Sequence, residues 1–276
     1  MFKRRTMMQL AAAATLSLAS ALPATAQTAL ESVTERGTLR VGMAAADPWF
    51  YKDPISEEWT GVGVQMGQAM AEDLGVTFEP VETTWANSVA AIQAGQIDLM
   101  FVLDATEERK KAIDFPEHPL FYYAMGALIQ DGMEITDWQD LNVEGTTVGV
   151  TLGTSVDRLL TETLPNAKIE RFASNDEAVA AFASGRVDAV SQFHPALIVQ
   201  VSRIGTGSVV LPRPIHAVPT SVGLPNAADS SFKDWVNEFI TKTYESGKTT
   251  EIFEAYISTK GIDPAAVPGL VKEDWD

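Results

Sequence analysis

From Gly37 onward, short apolar runs alternate with amphipathic stretches of helical period. "TLRVGMA" (38–44) reads as a buried strand. In "GVGVQMGQAMAEDLG" (61–75), Val64, Met66, Ala69, Met70 and Leu74 fall on one helical face, and Gly75 supplies a stop. "VTFEPVET" (76–83) predicts a strand, "WANSVAAIQAG" (85–95) a helix ending at Gly95, and "QIDLMFVL" (96–103) a strand. This β-α-β-α-β order is the pattern of a parallel sheet covered by helices.

The pattern then restarts. "TTVGVTLG" (146–153) predicts a strand running into a Gly-Thr-Ser turn, and "SVDRLLTETLP" (155–165) a helix. "AKIERFA" (167–173) predicts a strand, "NDEAVAAFASG" (175–185) a helix, and "RVDAVSQF" (186–193) a strand. The two units close on nearly the same phrase, "AAIQAGQIDLM" at 90–100 and "AAFASGRVDAV" at 180–190. In both, a glycine stops a helix and an apolar strand follows at once. Asp98 and Asp188 within the phrase are read as turn or capping groups, so the repeat is architectural.

"FYYAMGALIQ" (121–130) leaves the first unit and "VVLPRPIHAVPTSVGL" (209–224) leaves the second, both as strands able to cross between them. The tail carries Phe232, Trp235, Val236, Phe239 and Ile240 on one helical face, then a short helix in "TTEIFEAYIS" (249–258). With no strands of its own, the tail is expected to pack on the first unit. The expected fold is α/β with two Rossmann-like lobes joined by two crossing hinge strands. One lobe is residues 27–125 plus 217–276 and the other is 126–216, with a cleft where the carboxyl ends of both sheets meet.

Composition changes this picture at the N-terminus. Lys3, Arg4 and Arg5 precede the apolar run "MMQLAAAATLSLASAL", and Ala24-Thr25-Ala26 matches a small-x-small cleavage pattern. Residues 1–26 are therefore expected to be a cleaved export signal, placing the mature chain in the periplasm; Arg4-Arg5 leaves the Sec and twin-arginine routes both open. The net charge is −17, and it grows more negative once the basic leader is removed, which excludes nucleic acid as a partner. With no cysteine, there is no disulfide framework and no thiolate chemistry.

Signals for turnover are weak. His118, His194 and His216 form no metal-binding pair, so no metal is expected. "GVGVQMG" has the wrong spacing for a dinucleotide loop, and no P-loop or nucleophile elbow is present, so no cofactor is expected. Binding chemistry is better represented. Arg109, in "DATEERKKAIDF" (104–115), follows the last strand of the first unit, where a guanidinium can grip a carboxylate by two parallel hydrogen bonds. Gly153, Thr154 and Ser155 open a helix at the matching edge of the second unit. They offer backbone N–H groups and hydroxyls to an anion, although helix capping equally explains Thr154 or Ser155.

In order and spacing, "GTLRVGM", "AAIQAGQIDLM", "TEERKKAIDF", "TVGVTLGTS" and "GRVDAV" resemble periplasmic solute-binding proteins of the polar amino-acid type, which serve ABC importers. The resemblance covers almost the whole mature chain. It implies a hinged, monomeric binding protein that closes on a small carboxylate-bearing ligand and presents it to an ABC transporter permease. It also implies that Arg109 and the Thr154-Ser155 turn hold the carboxylate. Trp85 falls at the pocket position ahead of a helix, and Asp47, Trp49 and Phe50 replace the usual aromatic loop.

Two further departures stand out. Asp104, with Val102 at the same strand end, stands where the family has Ser or Thr; a cap on the 106–111 turn is its alternative role. Phe193, followed by His194, occupies the place of the acid that holds a ligand α-ammonium. Either the ligand lacks that group, or Asp47 and Asp104 take over a cation beside Trp85. An alternative function on the same scaffold is an exported dehydratase of the cyclohexadienyl or arogenate type. A receptor sensor module is a third, disfavoured reading.

Overall fold

The computed structural model describes residues 27–215 and 217–271, so the expected export signal lies outside the described residues. The elements in chain order are α1 (Ala29–Arg36), β1 (Thr38–Met43), β2 (Tyr51–Lys52), β3 (Trp59–Thr60), α2 (Val62–Leu74), β4 (Thr77–Glu82), α3 (Ser88–Gln93) and β5 (Met100–Phe101). There follow β6 (Phe121–Ile129), β7 (Thr147–Thr151), α4 (Ser155–Thr163), β8 (Lys168–Phe172), α5 (Asn175–Ala183), β9 (Ala189–Phe193) and α6 (His194–Ile204). The chain closes with β10 (Ser208–Val210), β11 (Ala217–Thr220), β12 (Val222–Gly223), α7 (Ser231–Glu245) and α8 (Lys248–Thr259).

The two units build matching sheets. In the first, β1 pairs in parallel with β4, Val41 bridges in parallel to Leu99 just ahead of β5, and β12 runs antiparallel to β5. In the second, β7 lies in parallel between β8 and β9, and β6 runs antiparallel to β9. The repeated phrase does the same work twice. Asp98 donates its N–H to the Arg40 carbonyl at 2.8 Å, and its carboxylate accepts the Arg40 N–H at 2.8 Å. Asp188 donates to the Thr147 carbonyl at 2.9 Å and accepts the Thr147 N–H at 2.8 Å. Each aspartate thus fixes the register of the third strand on the first, with Asp98 also paired to Arg36 and Arg40. Gly95 and Gly185, at φ 63° and 72°, make the left-handed turn that ends the preceding helix.

One expectation is corrected. The second crossing segment is not a continuous strand. β10 pairs with the last residues of β6 and β11 with the first, and the chain between them swings away. That excursion is held elsewhere: Arg213 N–H donates to the Thr136 carbonyl at 2.8 Å and the Arg213 carbonyl accepts from Trp138 at 3.3 Å. β6 is the unbroken connection, passing from β11 at Phe121–Ala124 to β9 at Met125–Ile129. In the tail, α7 packs on α1 and α8 on α2.

Candidate functional site

The carboxyl ends of both sheets flank a partly open cavity with about 350 Å³ of empty space, its open mouth included. Eight of the residues singled out in the sequence line it: Trp49, Trp85, Val102, Asp104, Arg109, Thr154, Ser155 and Phe193. Val102 is a β-branched residue at φ 59°, a conformation rare for its type. That turn follows β5 directly, and it brings Asp104 into the cavity while the Leu103 N–H bonds the Ser221 carbonyl at 3.1 Å.

Asp104 is a polar centre. One carboxylate oxygen accepts from the Tyr123 hydroxyl at 2.5 Å, and the other accepts from the Ser155 hydroxyl across the cleft. The 106–111 turn is capped instead by the Thr106 hydroxyl, which accepts from Arg109 N–H at 3.3 Å, so Asp104 is not its cap. Burial, and then the neighbouring Asp104 charge, hold the Tyr123 phenol well above its ordinary pKa, so it remains a donor. Arg109 is 5% exposed and donates to the Asp104 carbonyl at 3.0 Å and, across the cleft, to the Gly153 carbonyl at 3.2 Å. Burial lowers its pKa, with Asp104 acting in the opposite sense.

The Gly153-Thr154-Ser155 turn is less open to an anion than its sequence suggests. The Thr154 hydroxyl accepts the Asp157 N–H at 3.1 Å and donates to the Thr151 carbonyl at 2.8 Å, which is helix capping. Gly153 N–H goes to the Asp157 carboxylate at 3.1 Å. Thr154 and Ser155 line the cavity and Gly153 does not, and Ser155 is the member whose hydroxyl reaches across the cleft.

Three expected residues stand elsewhere. Asp47 accepts from the Tyr256 hydroxyl at 2.7 Å and pairs with Lys260 at 2.9 Å, away from the cavity lining. Phe50 is fully buried behind the site, 6.0 Å from the Trp85 ring. The two stand in a tight turn, in which the Trp49 and Phe50 N–H groups both donate to the Ala46 carbonyl, at 2.8 and 2.9 Å, and of the pair only Trp49 lines the cavity. His194 is fully buried at the start of α6; its Nδ1 accepts from Ala124 N–H at 3.0 Å and its Nε2 faces the Pro268 carbonyl at 3.1 Å. The second of these contacts places the imidazole between β6 and the tail, as a structural bridge.

Tyr123, Asn175 and Gln192 also line the cavity, and sequence reasoning missed them. Asn175 and Gln192 stand at the carboxyl edge of the second sheet, one opening α5 and one ending β9. That shared position with Ser155 was the available signal. Tyr123 sits in an apolar run and reads as core, which by burial it is. Its ring meets Phe193 at 3.6 Å between centroids.

Residues 39–259 match the family model described as bacterial extracellular solute-binding proteins, family 3. The L-cystine-binding protein TcyJ of Escherichia coli K12 is 26% identical over 228 residues, which is 82% of this chain and 85% of that protein. Among solved structures, the ancestral amino acid-binding protein AncCDT-1, a precursor of cyclohexadienyl dehydratase, superposes with a TM-score of 0.75 at 30% identity, covering 83% of this chain and 99% of that one. The Neisseria gonorrhoeae solute receptor for L-cysteine gives a TM-score of 0.77 at 25% identity, covering 88% and 99%. A two-lobed α/β fold, a polar cavity between its two sheets and a family match running through both halves lead to one assignment: the chain belongs to the family 3 bacterial extracellular solute-binding proteins.

Proposed function

We propose that this protein captures a small carboxylate-bearing ligand, an amino acid or close analogue, between its lobes and delivers it to the permease of an ABC importer. It works in the periplasm as a monomer, after removal of residues 1–26. The carrying observation is the pair of bonds that span the cleft, Arg109 to the Gly153 carbonyl and Ser155 to Asp104. A ligand shifts lobe closure only as far as it binds the closed form better, and groups that meet across the cleft supply that difference. Arg109 grips the carboxylate, while the Trp49, Trp85 and Phe193 rings cover the apolar part.

The relatives support this reading, since the ligands in their names are amino acids. A thermal-shift screen of the chain from residue 27, with amino acids beside their carboxamide and deaminated forms, tests it. A bound ligand raises the melting temperature with its concentration over Kd. Carboxylate-bearing compounds are expected to stabilise and their amides to fail; stabilisation by the amides alone overturns the clamp.

A catalytic use of the cavity has one point in its favour, the likeness to a dehydratase precursor. Against it, Asp104 already accepts two hydroxyl bonds, a holding role more than a proton donor's. Turnover of prephenate or arogenate by the purified protein would establish the enzymatic reading instead.

A further inference from the structure

The hydrogen bonds beside Phe193 settle what that wall offers a ligand. Phe193 N–H donates to Gln192 Oε1 at 2.9 Å, and a backbone N–H can only donate, so the amide orientation is fixed. Gln192 Nε2 is then the donor that meets Asn175 Oδ1 at 3.1 Å. The same Asn175 oxygen takes the Thr151 hydroxyl at 2.5 Å. Both amide oxygens are occupied within the protein, and the group Asn175 has left for the cavity is its Nδ2. Trp85 adds a buried Nε1–H with no partner in the protein. The Thr154 hydroxyl has both roles filled. This side of the site is therefore rich in donors and poor in acceptors.

Asp104 is the one carboxylate among the lining residues, and each of its oxygens already accepts a hydroxyl, which leaves about two of its four acceptor sites. A primary ammonium brings three N–H donors, and those left unmatched in a closed site each cost a desolvation penalty. A cation without N–H groups incurs no such cost. It is held instead by ring faces and by charge, and four aromatic side chains, Trp49, Trp85, Tyr123 and Phe193, line this cavity. Arg109 and Asp104 balance one another, so a zwitterion also enters without burying net charge.

We infer that the site selects a zwitterion whose cationic nitrogen carries alkyl groups in place of hydrogens, a betaine or N-methylated amino acid. Its carboxylate meets Arg109, Asn175 Nδ2 and Trp85 Nε1, and its cation lies among the rings beside Asp104. This inference rests on the solute-binding reading above and names its ligand class.

The test is isothermal titration of the chain from residue 27 with glycine, N-methylglycine, N,N-dimethylglycine and glycine betaine, and with proline beside proline betaine. Affinity is expected to rise with each added methyl, at least tenfold from either parent to its betaine. A parent amino acid that binds as tightly as its betaine overturns the inference, as does binding by no member of the series. A panel of the common amino acids separates the two readings. Tight binding of a primary amino acid there sinks the inference and leaves the solute-binding reading standing, whereas silence across both series removes both. In Phe193→Asp, the order should reverse in favour of primary amines. Phe193→Leu keeps the bulk and removes the π face, and should weaken betaine binding at least fivefold. Unchanged betaine affinity in Phe193→Leu and in Trp85→Leu would overturn the aromatic site.

Discussion

Arg109 donates a hydrogen bond to the Gly153 carbonyl at 3.2 Å, across the cleft and over 44 residues of chain. The guanidinium is thus poised where the two sheets meet, with its charge buried. Arg109→Ala should weaken ligand binding by about 2–5 kcal/mol, the range for orphaning a buried charged partner. Arg109→Lys should recover little of it, because a point charge cannot reproduce the fork. Titration calorimetry checks both, and affinity within threefold of the native protein would refute the clamp.

Gly153 also sets how closely the lobes approach. Its φ is 77°, and a Cβ placed there would meet Ala86 Cα, on the far side of the cleft, at 2.8 Å. Neither partner is a flexible side-chain tip, so Gly153→Ala should hold the lobes apart and reduce affinity more than tenfold. Its direct stability cost should stay near 1 kcal/mol, from the left-handed backbone. Small-angle X-ray scattering with saturating ligand should show a radius of gyration larger than that of the native complex; an equal radius would exclude the wedge.

The two aspartates singled out in the N-terminal half should behave oppositely. Asp47→Ala strips the partner from Lys260 and the Tyr256 hydroxyl, so it should cost about 1–3 kcal/mol of stability and leave affinity nearly unchanged. Asp104→Ala should lose affinity by at least tenfold. Urea unfolding beside titration calorimetry for each variant separates the two roles.

His194 makes stability depend on pH. Burial lowers its pKa from 6.5 to about 4, and the Ala124 N–H facing Nδ1 leaves no place for a second ring proton. The unfolded chain takes up a proton as pH falls through 6.5, and the folded chain does not until about 4. The stabilisation from this histidine is therefore complete above pH 6.5 and declines toward pH 4, by up to about 3 kcal/mol. Unfolding free energies measured across that window should fall less steeply in His194→Asn than in the native protein; equal slopes would assign the pH dependence to other groups.

The helices and strands of both units were legible because their signals are local: a change of hydrophobic period, and Gly95 and Gly185 at the helix stops. The break between β10 and β11 was not, because Arg213, between them, is held by backbone bonds to Thr136 and Trp138, far away in sequence. In the site, Arg109 and Ser155 could be found from their places after strands, and Asp104 and Trp85 from the positions that the family resemblance marks. Asp47 could not be excluded, because what removes it from the cavity is a tyrosine 209 residues later. Tyr123 acquires a polar role only once Asp104 has been folded against it.

The tail runs back to the crossing strand. The Leu270 carbonyl accepts from Tyr122 N–H at 2.7 Å, and the Pro268 carbonyl faces the His194 ring across from β6. Anyone turning this protein into a ligand sensor would find that consequence at the bench. A fluorophore or fusion partner joined upstream of Pro268 would unclip the tether and report on hinge damage, whereas one joined beyond Leu270 keeps the clip and reports on the ligand.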